Sequence, residues 1–118
     1  MNLTAQKTVQ EIDSNGYSRT HTLKVINPKL IREQKLTQAQ TILLHLVYIG
    51  CITPKTCEKG YGYMYCASII RDLKEQYGAR IEAIKQKSLN QFKQQTDYVE
   101  YHLQNPQYFK EILKNDNE

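Results

Sequence analysis

The strongest hydrophobic pattern in the chain lies in residues 61–78, where it follows the period of an α-helix. Four side chains recur at steps of four, three and four residues: Cys66, Ile70, Leu73 and Tyr77. This spacing places them on one face of a helix, and Ile69 widens that face. Gly78 supplies the left-handed conformation in which helices commonly end. The pattern therefore predicts an amphipathic helix whose other face can contact a partner.

Two shorter helices are predicted before this segment. Thr37 begins the first, because its hydroxyl can cap the backbone and Gln40 completes a T-x-x-Q capping box. His45 lies opposite the broad hydrophobic face of this helix, where we expect a solvated or hydrogen-bonded histidine rather than a catalytic one. Thr53 followed by Pro54 is the start signal of the second helix, which glycines interrupt within two turns.

Two extended segments follow the long helix and flank a polar loop. Residues 79–87 turn towards period two, and residues 98–103 carry β-branched and aromatic side chains. A short helix, a glycine-bearing turn, a longer helix and a basic hairpin occur in this order in a winged helix-turn-helix. We therefore expect an α+β fold, with three helices and a β-hairpin wing in residues 36–104.

The N-terminal part, residues 1–35, is predicted to form a hairpin and a connector. Asn15-Gly16 is a strong hairpin signal, because both residues tolerate positive φ. We expect irregular strand pairing, since Val9 and Ile12 point to opposite faces of a regular strand. The residue before Pro28 is pushed out of the helical region, so a chain break and a polar connector are expected there.

The C-terminal part, residues 105–118, is predicted to be a short helix and a tail. Asn105 as cap and Pro106 at the first helical position form its start signal. Its apolar side consists of Tyr108, Phe109, Ile112 and Leu113. So short a helix is marginal in water on its own. We expect it to pack against its own domain or against a second copy in a homodimer.

The composition permits a nucleic-acid partner without requiring one. The 118 residues carry a formal net charge of +4, and the sequence pI is about 8.9. Many proteins that bind no nucleic acid are as basic. No apolar run approaches the roughly 20 residues of a membrane span, and the N-terminal residues lack a signal-peptide core. We therefore expect a cytoplasmic protein with no membrane partner.

Residues that carry catalytic or metal chemistry are sparse. The three cysteines, Cys51, Cys57 and Cys66, form no C-x-x-C pair and fall in predicted helical segments, so we interpret them as reduced core residues. The sequence contains no H-E-x-x-H motif, Gly-rich phosphate loop or paired carboxylates. We therefore expect no catalytic residue, no metal and no cofactor.

Residues 36–103 resemble the small winged helix-turn-helix domains that are common in bacteriophages and prophages. The matching pieces are L-T-Q-A-Q-T-I-L-L-H-L, G-C-I-T-P-K, A-S-I-I-R-D-L-K-E-Q-Y-G-A-R-I-E-A and D-Y-V-E-Y-H-L. Typical members read T-x-x-Q-x-I-L, G-x-I-T, A-R-I-x-D-L-R and then a wing. This chain departs from them at Ile69, where members often carry arginine, and in the tyrosine-rich residues 61–65. The resemblance implies a regulatory or architectural DNA-binding protein, acting in the cytoplasm of a bacterial host cell.

Eight residues are candidate contacts to double-stranded DNA. They are Tyr63, Tyr65, Ser68, Arg71 and Lys74 on the helix and its entry, and Lys85, Lys87 and Lys93 on the wing. Arg71 can reach a guanine edge, and the wing lysines can neutralise phosphates. For any one of these lysines, an ordinary solvated surface charge is as good an interpretation as a DNA contact. The tyrosines fit packing against the N-terminal hairpin equally well.

The same scaffold also fits a protein-binding inhibitor of a host defence system, of the anti-CRISPR type. Its partner would be a host defence protein or a nucleoprotein complex. The tyrosine-rich residues 61–65 suit a protein interface, in which Tyr and Arg are enriched. Simple DNA mimicry is disfavoured, because a mimic would be acidic and the net charge is +4. The sequence leaves the choice between DNA and protein open.

Overall fold

Two small β-sheets and five helices make up the described part of the chain, which has an α+β fold. The structure is a computed structural model that describes residues 3–12, 15–89 and 94–116. The strands are β1 (Thr4–Ile12), β2 (Ser18–Ile26), β3 (Cys51–Ile52), β4 (Ile81–Leu89) and β5 (Gln95–Leu103). The helices are α1 (Pro28–Glu33), α2 (Gln38–Tyr48), α3 (Pro54–Thr56), α4 (Cys66–Gln76) and α5 (Pro106–Asp116). None of the helices in these ranges has the length and apolar character needed to cross a lipid bilayer.

Strands β1 and β2 form an antiparallel ribbon whose register runs uninterrupted from the pair Thr4 and Ile26 to the hairpin end. The predicted hairpin is confirmed, and Gly16 takes the expected positive φ of 84°. The expected irregular pairing is wrong. Most side chains of the ribbon are exposed on both faces, so the hydrophobic pattern does not set its register. Main-chain hydrogen bonds hold it, and the Asn27 N–H adds one by donating to the Leu3 carbonyl at 2.8 Å.

Strand β5 lies between β3 and β4 in the second sheet and pairs antiparallel with both. Its side chains alternate between two faces of the sheet. We call the face that packs against the helices the core face; it carries Ile52, Ile81, Tyr101 and Leu103. We call the other the outer face; it carries Cys51, Glu100 and His102. The predicted pair of strands after the long helix is confirmed.

The predicted helix starts at Thr37 and Thr53 are confirmed by their hydrogen bonds. The Gln40 N–H donates to Thr37 Oγ1 at 3.1 Å, and the Thr37 N–H donates to Gln40 Oε1 at 2.9 Å. Thr53 Oγ1 accepts from the Thr56 N–H at 3.1 Å. Each bond satisfies a main-chain N–H that a helix start leaves unpaired. A π-helical turn over Cys57–Tyr61 then continues α3.

The polar connector predicted after Asn27 is wrong, because Pro28–Glu33 form helix α1. Asn27 Oδ1 accepts from the Lys29 N–H at 3.0 Å, and the proline occupies the first turn. This is the same cap-plus-proline signal that correctly predicted α5. The helix also has a hydrophobic anchor, since Leu30 is only 8% exposed.

Helices α2, α4 and α5 and the core face of the second sheet enclose the hydrophobic core. The stripe predicted for the long helix is confirmed, because its buried side chains are Cys66, Ile69, Ile70 and Leu73. Helix α5 packs on this core through Phe109, as one of the two alternatives predicted. Ile112 remains 40% exposed, and the side chain of Leu113 lies outside the described residues.

His45 is buried, so its predicted place on a solvated side of α2 is wrong. The predicted hydrogen bonding is confirmed: His45 Nε2 lies 3.0 Å from the Cys51 carbonyl, and Nδ1 lies 2.5 Å from the Tyr61 hydroxyl. Tyr61 Oη also accepts from the Ile26 N–H at 2.7 Å, which leaves its own proton for Nδ1. These partners assign the neutral histidine with its proton on Nε2. Tyr61 and β3 cover a side of α2 that the helical pattern alone leaves open.

Burial favours the neutral form of both His45 and Tyr61. It lowers the pKa of His45 from 6.5 to about 4, against the opposing effect of the hydrogen bond to the Cys51 carbonyl. Burial also raises the pKa of Tyr61, so its hydroxyl stays protonated. Both groups are therefore neutral near pH 7. One hydroxyl joins β2 to α2, and one imidazole joins α2 to β3.

We expect Tyr61→Phe to lower the free energy of unfolding by roughly 1–3 kcal/mol, because it leaves two buried polar groups without a partner. Chemical denaturation monitored by circular dichroism measures the change. The matched control is Tyr65→Phe, which removes the same hydroxyl from a side chain that is 77% exposed. Equal stability of the two variants would show that the buried hydroxyl contributes nothing.

We also expect stability to fall as the pH drops from 6.5 towards 4. The folded state holds His45 neutral, so its contribution is complete above pH 6.5 and is lost as the unfolded chain takes up a proton. A shift of this size corresponds to about 3 kcal/mol. Denaturation midpoints across this range measure the loss, with His45→Gln as control. An equally steep decline in the variant would assign the effect to other groups.

Candidate nucleic-acid interface

The exposed side of α4 carries three of the predicted contact residues. Tyr65 is 77% exposed at the start of the helix, and Arg71 and Lys74 lie exposed further along it. Ser68 is half-buried, and Arg71 Nη2 donates to its Oγ at 3.4 Å. The buried stripe fixes this arrangement, because residues on the opposite face of a helix must point to solvent. These four predicted residues therefore lie together on one helix.

Tyr63 is placed differently from the other predicted residues. It is half-buried, and its ring stacks on that of Tyr61 with centroids 5.6 Å apart. Tyr61 in turn binds the end of β2. Tyr63 therefore packs on Tyr61 and on the hydrophobic core, while Tyr61 is the tyrosine that bonds to the N-terminal hairpin. The exposed apolar surface begins only at Met64, which is 71% exposed.

The turn that leads into α4 is held from two sides. Lys7 Nζ donates to the Gly60 carbonyl at 3.3 Å, so β1 reaches across to the π-helical turn. A Cβ at Gly60 would lie 3.0 Å from Val25 Cγ1, so a larger residue would displace the Val25 side chain by a few tenths of an ångström. Gly62 ends the turn at a φ of 77°. The N-terminal ribbon thus positions the entry of α4.

A buried pair of thiols joins the same turn to α4. Cys57 Sγ and Cys66 Sγ lie 2.9 Å apart, and both residues are buried. The hydrogen bond to Cys66, followed by burial, raises the pKa of the Cys57 thiol, which stays protonated. The interpretation as reduced core residues fits these two cysteines. Cys51 is also a free thiol, but its predicted place in the core of a helix is wrong, because it lies half-exposed in β3.

Helix α4 has little net charge of its own. Arg71 and Lys74 are balanced along the helix by Asp72 and Glu75. Its first turn contains no acidic residue, and its N-cap residue, Tyr65, makes no side-chain capping hydrogen bond. These N–H groups and the helix dipole favour an anion at this end. Attraction to phosphates must otherwise come from neighbouring elements.

The β4–β5 hairpin carries two lysines on one face and two glutamates on the other. Lys85 and Lys87 project from the core face, in register with Val99 and Asp97 of β5. Glu82 and Glu100 project from the outer face. Residues 79–95 carry an excess of positive charge in the sequence, and Asp97 and Glu100 of β5 partly offset it. A basic surface remains on the core face, where Lys85 and Lys87 outnumber Asp97, because strand alternation puts both glutamates on the other face. Lys93 lies outside the described residues.

The lysines continue the sheet face that packs against α4. Ile81 lies on this face and joins Ile69, Ile70 and Leu73 of α4 in the core. Lys85 follows Ile81 by four residues and Lys87 by six, which places them about 13 and 20 Å further along the strand. Both side chains are exposed. The basic surface therefore extends from the same side of the sheet as the helix.

Sequence reasoning missed two groups of polar residues. The role of Tyr61 as a hydrogen-bond bridge depends on contacts with β2 and α2 that no local pattern reveals. On the outer face, Glu100 and His102 are two residues apart in a strand, a spacing that does predict a shared face. Cys51 joins them only through the β3–β5 register.

Comparison with protein-family models, curated proteins and solved structures finds no match for this chain. The resemblance of residues 36–103 to phage winged helix-turn-helix domains therefore stays a prediction. No functional residue is carried to this chain from a relative. The assignment of a function rests on the surface formed by α4 and the core-face lysines of the β4–β5 hairpin.

Proposed function

We propose that this protein binds double-stranded DNA as a winged helix-turn-helix, with α4 in the major groove and the β4–β5 hairpin as the wing. The observation that carries the proposal is the position of Lys85 and Lys87. They extend the sheet face that packs against α4, while Glu82 and Glu100 lie on the other face. The order of α2, α3, α4 and hairpin supports the same arrangement.

The hairpin would supply affinity without sequence preference. Each lysine that neutralises a phosphate releases condensed counterions, so binding weakens as salt rises. Lys85 and Lys87 can contact the backbone beside the groove that receives the helix. Glu82 and Glu100 face away from that backbone and therefore repel it less.

Helix α4 would supply the sequence preference. Arg71 is exposed on its outward side and carries the planar group that pairs with the O6 and N7 atoms of guanine. The contact with Ser68 at 3.4 Å lies along the helix and does not bury the guanidinium. Tyr65, at the start of the helix, can reach a phosphate or a base edge.

The biological role that fits best is a regulatory or architectural protein of a phage or mobile element, acting in the bacterial cytoplasm. This part of the proposal rests on the resemblance of residues 36–103. The net charge of +4 is compatible with it. The proposal includes no catalytic step, because none of the candidate residues forms a nucleophile–base pair.

A second candidate function is supported by the exposed apolar side chains at the entry of α4. Met64 and Tyr65 are adjacent, and they are 71% and 77% exposed. Methionine and tyrosine are enriched at protein interfaces. A protein partner of the host defence type would bury this pair, and Arg71 would lie beside it on the helix.

We expect the double variant Lys85→Ala and Lys87→Ala to weaken binding to unrelated duplexes equally. The slope of log affinity against log salt should fall by about two, since each phosphate contact contributes about 0.9. A salt series of fluorescence-anisotropy titrations measures the slope. The matched control removes two exposed lysines from other helices, Lys29 in α1 and Lys110 in α5. An unchanged slope in the first variant would remove the hairpin from the interface.

We expect Arg71→Ala to cost roughly 1–3 kcal/mol on a duplex selected from a random pool, and much less on unrelated duplexes. Lys74→Ala is the control, because a phosphate-contacting lysine affects all sequences alike. Tyr65→Ala separates the second function: in a protein-binding role it abolishes the complex with the partner while DNA affinity persists. The side chains of Arg71 and Tyr65 are exposed, so circular dichroism of these two variants should show an intact fold. An Arg71→Ala effect that is equal on all duplexes would rule out base reading by α4.

A further inference from the structure

Three potential metal ligands converge on the outer face of the second sheet. Cys51, Glu100 and His102 each offer one ligand atom, and these atoms all lie within 4.8 Å of one another. The register explains why they meet. Cys51 lies directly opposite His102 across the β3–β5 pair, and Glu100 lies two residues before His102 on the same face. Rigid strands hold all three, which favours a defined geometry.

We propose that Cys51, Glu100 and His102 form a binding site for Zn²⁺. A tetrahedral zinc site with ligands at about 2.0–2.3 Å has edges of roughly 3.3–3.8 Å between its ligand atoms. The His102 Nε2 and Glu100 Oε1 atoms lie 3.6 Å apart, which matches such an edge. The other separations between the ligand atoms are no larger than 4.8 Å.

The state of His102 Nε2 supports a ligand at this position. The atom is buried, and within the described part of the chain it has no hydrogen-bond partner. Its 3.6 Å separation from Glu100 is too long for a hydrogen bond. A buried polar atom without a partner is costly. A metal ion in front of the imidazole would satisfy its lone pair.

Neighbouring residues orient two of the three ligands. Gln86 Nε2 donates to Glu100 Oε1 at 3.0 Å and so orients the carboxylate, and this oxygen keeps a second lone pair for a metal. His45 Nε2 donates to the carbonyl of Cys51 and so fixes the backbone that carries the thiol. Such outer contacts are characteristic of metal sites, where they hold the ligands in position.

The ligand chemistry selects the metal. A thiolate is a poor ligand for Mg²⁺ or Ca²⁺, whereas thiolate, imidazole and carboxylate together suit Zn²⁺. Three protein ligands leave a fourth position for water. The ion would tie β3 to β5 at the base of the β4–β5 hairpin. The proposal replaces the expectation, drawn from the sequence, that the protein holds no metal.

Titration of the metal-free protein with Co²⁺ and Zn²⁺ tests the site. Co²⁺ bound to a thiolate gives a charge-transfer absorption in the near ultraviolet, and we expect it to saturate at one ion per chain. Zn²⁺ should displace the Co²⁺ and raise the melting temperature of the unmodified protein, and a chelator should reverse that rise. A melting temperature that does not respond to Zn²⁺ would overturn the proposal without any variant.

Substitutions then assign the ion to these residues. Cys51→Ser should abolish the charge-transfer absorption, and Gln86→Ala should weaken Zn²⁺ binding by roughly 10–100-fold. The matched control is Glu82→Gln, because Glu82 lies on the same outer face, opposite His102, but outside the cluster. The Glu82 carboxylate accepts from Gln104 Nε2 at 3.1 Å. We expect the control to bind like the unmodified protein. Absorption that persists in Cys51→Ser, or a loss as large in Glu82→Gln, would assign the metal to other groups.

Discussion

The hydroxyl of Tyr61 is the contact that joins the separate parts of this small structure. It accepts from the main chain of β2 and lies against His45 of α2, whose other nitrogen donates to β3. Three elements that are distant in the sequence thus meet at two buried side chains. A chain of 118 residues has only a modest core, so these hydrogen bonds hold together elements that a larger protein would hold together by packing.

The bridge also sets where the proposed DNA-reading helix begins. Tyr61 closes the π-helical turn, Gly60 lets Val25 of β2 approach that turn, and the Cys57–Cys66 contact ties it to α4. The N-terminal ribbon is therefore part of the support of α4 rather than a separate decoration. A change in the ribbon would be transmitted to the entry of the helix through these contacts, because a close-packed turn cannot absorb it.

The parts of the fold that were predicted correctly are those with local causes. The capping box at Thr37, the proline at the start of α5 and the stripe of α4 each depend on residues within one or two turns of helix. The burial of His45 depends on long-range packing, and the position of Cys51 beside His102 depends on the β3–β5 register. A local sequence pattern contains neither. Helix α1 was missed although its signal was present. The same distinction applies to the candidate site. The exposure of Arg71 follows from the helical period, whereas the placement of the hairpin's lysines and glutamates on opposite faces follows from the β4–β5 register.

The two-faced charge of the hairpin has a consequence for how the molecule meets a polyanion. Side chains on opposite faces of a sheet project in opposite directions, and the Debye length in physiological salt is about 8 Å. Salt therefore screens the far face more than the near one: Lys85 and Lys87, partly offset by Asp97, would attract an approaching polyanion, whereas Glu82 and Glu100 would repel it. The resulting torque would rotate the protein during diffusional encounter, before any contact forms. Orientation would then be selected in the encounter complex, which raises the fraction of collisions that present α4.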